Sequence, residues 1–574
     1  MVKWMEKAVW LLFIAIIGYL LIASIFSTCY IGEYSYLTMD KETEINISHT
    51  FYIRDNYLQH ILVFIAFSCL LFFIKPKKVF ENKYVPFMIC IAVAVLSLIV
   101  VFASQYYPKF DQCHVMEIAG ALNEGDFSEL EKGGYLYQYP FQIGIVLYYR
   151  VLSHIFGNYN YVMFQAVNAI WIFMTYYLLV KITERLGGEK YKSGVAFLCL
   201  IFSPYLFFVT FLYGSVVGLP FALLSFYMMF LYEENPKISY LLICGLSMGI
   251  AVIMKSNYQI FLIAEVIYLL FSCFFIKSDK KRKITYKLLL AAVAVICTML
   301  CKEGMDKYIQ NLNHGVEVKG APMMAWVALG LQDGKSAPGW HNGYDTAVFS
   351  ENDYDYEKAA EAAATEVRRI IKKWPQDITT SISFFVKKTA SQWNNPTFQS
   401  LWILENRQGK DGLTWLLQGN GRYAYIFWVN LLQTWILTGT LFYALFRIKK
   451  SSISEIVLPI TFIGGFMAHM IIEAQTLTAM IYFPLLLPLC IYGYGEWRGW
   501  LLDRKTEIME NGWKSKESGY LQRKILAAVA AVVLVCILSY TEPFAKIFAR
   551  NENTGAFDTY TQEVVNEKDA LPEK

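Results

Sequence analysis

Apolar runs of about 17–22 residues recur along nearly the whole chain, separated by short polar stretches. A helix of that length crosses the roughly 30 Å hydrocarbon core of a bilayer. The runs that fit are 8–27, 58–74, 85–104, 160–181, 194–212, 215–232, 238–254, 257–276, 286–302, 424–446, 452–472, 476–495 and 524–541. They predict an all-α polytopic membrane protein with about 13 transmembrane helices, because in lipid a helix satisfies its own backbone.

Basic residues give the sidedness. Lys75/Lys77/Lys78/Lys83, Lys181/Arg185/Lys190/Lys192, Lys277/Lys280/Lys281/Arg282/Lys283, Arg447/Lys449/Lys450 and the cluster from Arg498 to Lys524 lie in short loops. Such loops stay cytoplasmic. The N-terminus is then inside, the C-terminus outside, and the protein sits multi-pass in the cell membrane. Counting Tyr139–Phe156 as a further span would put the basic loop at Lys181–Lys192 outside and bury Arg150 and His154 at cost. It therefore reads as a juxtamembrane helix on the outer face.

Two outer segments result, 105–159 and a loop region of roughly 120 residues at 303–423. In the second, Asp353–Trp374 reads as a helix capped by Asp353 or Asp355 and stopped by Pro375, and Asp377–Trp393 as an amphipathic one. Gly330–Tyr344 reads as an irregular loop, and the aromatic content argues against disorder.

Composition agrees. The 574 residues are 56% hydrophobic and 17% charged, against roughly 25% charged in soluble proteins. A net charge of +4 gives no footprint for nucleic acid. The first run, Ala8–Ser27, is too long for a cleaved signal and reads as a retained anchor. Eleven cysteines, mostly inside apolar runs, form no CxxC or Cys/His pattern, so neither a disulfide framework nor a zinc site is expected. Cys29 and Cys113 are the pair that could meet outside. Glu265 lies some 12 Å into its span, where an ionisable group is either functional or a hydrogen-bonded packing residue.

The candidate chemistry gathers at the outer ends of the spans. Phe110-Asp111-Gln112-Cys113-His114 follows the third run. Asn123-Glu124-Gly125-Asp126-Phe127 and Tyr135-Leu136-Tyr137-Gln138-Tyr139-Pro140-Phe141 come next. This order resembles the protein-O-mannosyltransferase-like bacterial branch of the GT-C membrane glycosyltransferases. In that superfamily an early outer loop carries an acidic residue beside the membrane, then a Gly-Asp-Phe/Tyr element and a Tyr-Pro-Pro-like segment. Here Phe141 replaces the second Pro, and Gln112 stands where the family commonly pairs a second acid. Tyr213-Gly214-Ser215, Met254-Lys255-Ser256, Ala325–Leu331, Pro338–Asp345, His469–Ala474 and Tyr482–Pro488 extend the resemblance in weaker form.

The resemblance implies a GT-C-like core over 1–302 with its catalytic outer loop at 105–159. An extracytoplasmic loop region at 303–423, C-terminal helices over 424–541 and an extracytoplasmic tail at 542–574 follow. It implies transfer of a sugar from a polyprenyl-phosphate donor to a cell-envelope glycan, lipid or protein acceptor. It implies no certain cofactor and leaves a divalent cation (Mg or Mn) open, with Gln112 in place of a second acid weakening a metal assignment. Asp111 would be the catalytic base. His114, Glu117, Asp126, Tyr139, Lys255, Asp345, Arg422 and Glu473 would bind substrate, with Lys255 and Arg422 on the lipid phosphate.

Plainer readings stand beside these. Asp111 read by itself is equally a solvated loop acid, and Lys255 and Arg422 equally snorkelling anchors. A carrier or flippase for lipid-linked sugars is the main alternative, and a polysaccharide polymerase the next. Carriers tend to carry internal repeats and ionisable groups near the midplane. No repeat is seen, and Glu265 is the one clearly deep charge.

The topology is testable by impermeant thiol labelling in a background without native outer cysteines. Ser336→Cys should label from outside and Lys190→Cys should not. External labelling at position 190 would overturn the juxtamembrane reading of Tyr139–Phe156.

Overall fold

The computed structural model describes residues 2–37, 44–55, 57–73, 82–276, 279–334, 336–404, 413–417, 419–450 and 453–511. Among them nine helices are long and apolar enough to cross a membrane, ten if Glu189–Ile201 and Ser203–Thr210, bent by 58°, form one broken span. Pro204, at the start of the second piece, cannot donate to a continuing helical ladder. Eight of the expected runs match full-length helices closely, from Trp4–Phe26 to Thr476–Asp503. The run expected at 286–302 is part of a longer helix, Lys280–Leu312.

The expected thirteen are thus not all met. The runs at 58–74 and 238–254 are shorter apolar helices, and Ile238–Met254 has 17 residues. That is about 26 Å, slightly short of a bilayer core. The run at 524–541 and the tail lie outside the described residues.

The all-α expectation needs one correction. Ser27–Leu37 and Glu44–Arg54 form an antiparallel hairpin directly after the first helix, with Cys29 opposite Tyr52. Its strands dock onto the 303–423 region: Cys29 N–H donates to the Asn394 carbonyl (3.0 Å) and Thr50 N–H to that of Ser336 (3.0 Å). Cys29 is buried there as a free thiol, and Cys113 is a free thiol donating to Glu117. The two do not pair.

Tyr139–Phe156 becomes a turn and a helix, Ile143–Phe156. Its 14 residues span about 21 Å, too short to cross. Arg150 on it is engaged locally, donating to Asn123 (3.0 Å) and Tyr308 (2.9 Å). In the 303–423 region the expected helices form as Tyr356–Lys373 and Ile378–Trp393. Asp355 and Asp377 accept from the first-turn amides, as N-caps do. Gly330–Tyr344 is irregular, with a single bridge between Asp333 and Pro338.

Small residues let the central helices close on each other. A Cβ on Gly214 would sit 1.8 Å from the Met254 carbonyl, and one on Gly218 2.3 Å from the Tyr258 ring. Close backbone approach of this kind is how helices associate in lipid. It draws Tyr213 and Lys255 to the same end of the bundle. Deep in the helices, Glu265 is fully buried and accepts from Ser225 (2.9 Å) and Cys244 (3.0 Å). Those bonds make it a satisfied packing residue.

Candidate active site

The chain breaks its helices where the candidate residues gather. After Val85–Ser104 the backbone runs irregular to Phe110, whose φ of 51° turns it into helix Asp111–Glu124. The Phe110 ring stacks on Trp402 (5.8 Å between centroids) and fixes that turn. The freed carbonyls receive buried side chains. Gln165 donates to Tyr106 (2.8 Å) and Thr210 (3.2 Å), and Asn168 to Val209 (3.0 Å) and Phe211 (3.1 Å). Gln112, where the family commonly has a second acid, accepts from Leu212 N–H at 3.1 Å and is buried. It anchors backbone.

Asp111 itself is exposed at the start of its helix. The Tyr213 hydroxyl donates to its Oδ2 at 3.3 Å, and Gln142 donates to the Tyr213 oxygen. Lys255 Nζ lies 4.2 Å from the Tyr213 ring centroid, a cation–π contact. Burial lowers the Lys255 pKa to about 8, against the pull of Asp111 and Glu473.

A second group comes from the 303–423 region. Asp345 opens helix Tyr344–Glu351 and is fully buried. Tyr139 donates to its Oδ2 at 2.9 Å, and His341 Nε2 lies 3.3 Å from its Oδ1. Burial pushes the Asp345 carboxyl up, but the His341 hydrogen bond and charge, with the Tyr139 hydroxyl, carry it below the usual range. The bond to Asp345 raises His341 to about 9, with Glu473 and Asp111 adding to the pull. Rings link this group to the first: Tyr139 meets Tyr135 at 5.1 Å, and Tyr135 stacks on His114 at 5.1 Å.

The third group lies past helix Val457–Ile471. His469 Nδ1 donates to the Glu473 carbonyl at 3.0 Å, which leaves Nε2 to accept from Asn257 (3.4 Å). Lys388, wholly buried, donates to the carbonyls of Gly330, Met470 (3.2 Å) and Ile472 (2.8 Å). Burial lowers its pKa to about 7. Glu473 is raised to about 7, by burial first, with His341 and Lys255 opposing and the charges of Asp345 and Asp111 adding to the rise.

Of the residues singled out in the sequence, Asp111, His114, Tyr139, Lys255, Asp345 and Glu473 are therefore brought together in one region, the candidate cleft. Glu117 lies further along the helix, accepting from Cys113 (3.0 Å) and Tyr107 (3.4 Å). Asp126 closes the turn at Ser128 (2.9 Å), some 20 Å along from Asp111. Arg422 is buried at the start of helix Gly419–Lys450. Sequence reasoning passed over Gln142, His341 and Lys388. The spacing of His341 and Asp345, one helical turn, was the available signal for one of them. Among the described residues no three His, Cys, Asp or Glu side chains cluster as metal ligands.

Residues 144–301 match the model of the dolichyl-phosphate-mannose-protein mannosyltransferase family. The match covers just over a quarter of the chain and begins after the outer-loop motifs at 110–141, in the family that those motifs resemble. The matched stretch takes in Tyr213 and Lys255, follows Asp111 and ends before His341, Asp345 and Glu473. None of the curated proteins matches. Among solved structures, the chain is similar to the archaeal oligosaccharyltransferase AglB of Archaeoglobus fulgidus in complex with an inhibitory peptide and a dolichol-phosphate. The identity is 14%, the TM-score 0.41, and the coverage 84% of this chain and 59% of that one. For the apo form the values are 15%, 0.41, 84% and 60%. The chain thus spans about three fifths of the length of these structures.

The His341–Asp345 pair gives a pH signature. His341 is raised from 6.5 to about 9, so its contribution to stability is full below about pH 6.5 and is lost as pH rises through about 9. Asp345 is lowered, so its contribution holds above the ordinary carboxylate range and fades as pH falls through the folded value. Asp345→Asn should therefore lower the melting temperature most at neutral pH and progressively less above pH 9. A pH-independent difference between the two melting curves would contradict the ion pair.

Proposed function

We propose that this protein transfers a sugar from a polyprenyl-phosphate-linked donor to a hydroxyl of a cell-envelope glycan, lipid or protein on the outer face of the membrane. The observation that carries the reading is the exposed Asp111 carboxylate at a helix end, oriented by Tyr213, with Lys255 packed against the same ring. An acceptor hydroxyl within hydrogen-bond reach would give its proton to Asp111. Its oxygen would bond to the anomeric carbon as the bond from that carbon to the phosphate oxygen breaks. The electron pair leaves with the phosphate, and cations at the cleft would stabilise the departing polyprenyl phosphate.

Lys255 suits that task, since an ammonium binds phosphate as a compact point charge. The rings of Tyr135, Tyr139 and Trp326, linked at 5.1 and 5.9 Å, supply flat apolar surface beside the acids. A carrier gains little support from Glu265, whose carboxylate is satisfied by Ser225 and Cys244. The protein is a multi-pass membrane protein by its apolar helices.

Asp111→Asn tests the reading. It keeps size and polarity and removes the base. Turnover should fall on the order of 10²–10⁴-fold while expression and donor binding hold. Asp126→Asn, about 20 Å away along the helix and hydrogen-bonded to its own turn, should leave turnover near wild type. Near wild-type transfer by Asp111→Asn, measured with labelled donor, would reject the assignment.

A further inference from the structure

The cleft is crowded with carboxylates, and an anionic donor must still enter it. Asp111, Asp345 and Glu473 surround it, and Lys388 spends its ammonium on three carbonyls. Among the described lysines that act on these acids, that leaves Lys255 as the counterweight to a phosphate. We propose that His341, held as an imidazolium by Asp345, is a ligand of the donor phosphate and of the polyprenyl phosphate left behind. This rests on the glycosyltransferase reading above and deepens it.

The geometry favours this role. The Asp345 carboxylate is fully buried, and a buried charge is costly unless paired. Tyr139 satisfies one oxygen at 2.9 Å; His341 Nε2 faces the other at 3.3 Å. A buried carboxylate oxygen at that ion-pair distance, with no other partner among the described residues, favours the ring that carries a proton on both nitrogens. The imidazole is itself 55% exposed. Among the described residues no hydrogen bond to Nδ1 is made, so one charged N–H remains for a ligand. The buried pair holds the ring in place, and the open side leaves room for a phosphate oxygen.

The groups acting on His341 come from every side of the cleft. Asp345 lies on its own segment, Asp111 on helix Asp111–Glu124, and Glu473 after helix Val457–Ile471. Tyr139 comes from the turn before Ile143–Phe156, and Lys255 and Lys388 act through the same carboxylates. Lys255, at about 8, titrates in the same pH range as His341. The informative quantity is therefore the difference between wild-type and variant profiles.

The test is equilibrium binding of a short-chain polyprenyl phosphate, and of the uncharged polyprenol of the same length, to the purified full-length protein from about pH 7.5 to about pH 10, where the phosphate is already a dianion. Wild type should prefer the phosphate and lose affinity as pH rises. H341Q should bind the phosphate roughly tenfold more weakly near neutrality, with the gap to wild type closing above about pH 9. H341K, which restores a charge, should recover much of the loss. Equal affinity and equal pH profiles for wild type and H341Q would overturn the proposal and leave the donor reading standing. A wild type with no preference for phosphate over alcohol would overturn the donor reading itself. H341K no better than H341Q would assign the effect to shape and so reject the imidazolium.

Discussion

Broken helices leave carbonyls without partners, and near a membrane those carbonyls have to be answered by protein donors. The candidate site is built where that happens repeatedly. Gln165 and Asn168 answer the chain around 106 and 209–211, Gln112 accepts from Leu212, and His469 and Lys388 answer the carbonyls at 470–473. Non-helical backbone persists at such depth only when it is enclosed by protein or lines a cavity. The buried amides and the buried Lys388 amine make these irregular turns stable enough to hold acids in fixed places.

The fixed turns set the electrostatics. Asp111 faces solvent with a tyrosine hydroxyl on one oxygen, which leaves it available as a base. Asp345 is buried and its partners hold its carboxyl below the usual range, while burial pushes Glu473 up to about 7. Asp345 and Glu473, two carboxylates in one region, are thereby shifted in opposite directions by their surroundings. The close approach of Gly214 to Met254 supplies the matching cation, because it places Lys255 over the Tyr213 ring.

Much of this was legible in the chain. Run length gave most spans within a few residues, and Asp355, Asp377 and Pro375 marked helix ends through local chemistry. Asp111 stood out by its place just past an apolar run. The hairpin of 27–37 and 44–54 was missed because its strands, though paired with each other, dock on residues 336 and 394 far along the chain, which no local period reports. Gln112 read as a lost second acid, whereas it serves the backbone of a segment 100 residues away. His341 was passed over, since nothing local reveals that Asp345, four residues on, is wholly buried. Arg422 was expected on the lipid phosphate through the family resemblance, and its burial at the start of its helix was not visible in sequence.

The central claim is that chemistry, not transport, occurs at this cleft. Its most direct measurement uses purified protein in detergent, with no compartments, and a panel of polyprenyl-phosphate sugars carrying label in both the sugar and the lipid. The account predicts that one donor is consumed to give free polyprenyl phosphate and acceptor-linked sugar in equal amounts. Binding of a donor without release of polyprenyl phosphate under any acceptor condition, alongside movement of the intact donor across vesicle membranes, would contradict it.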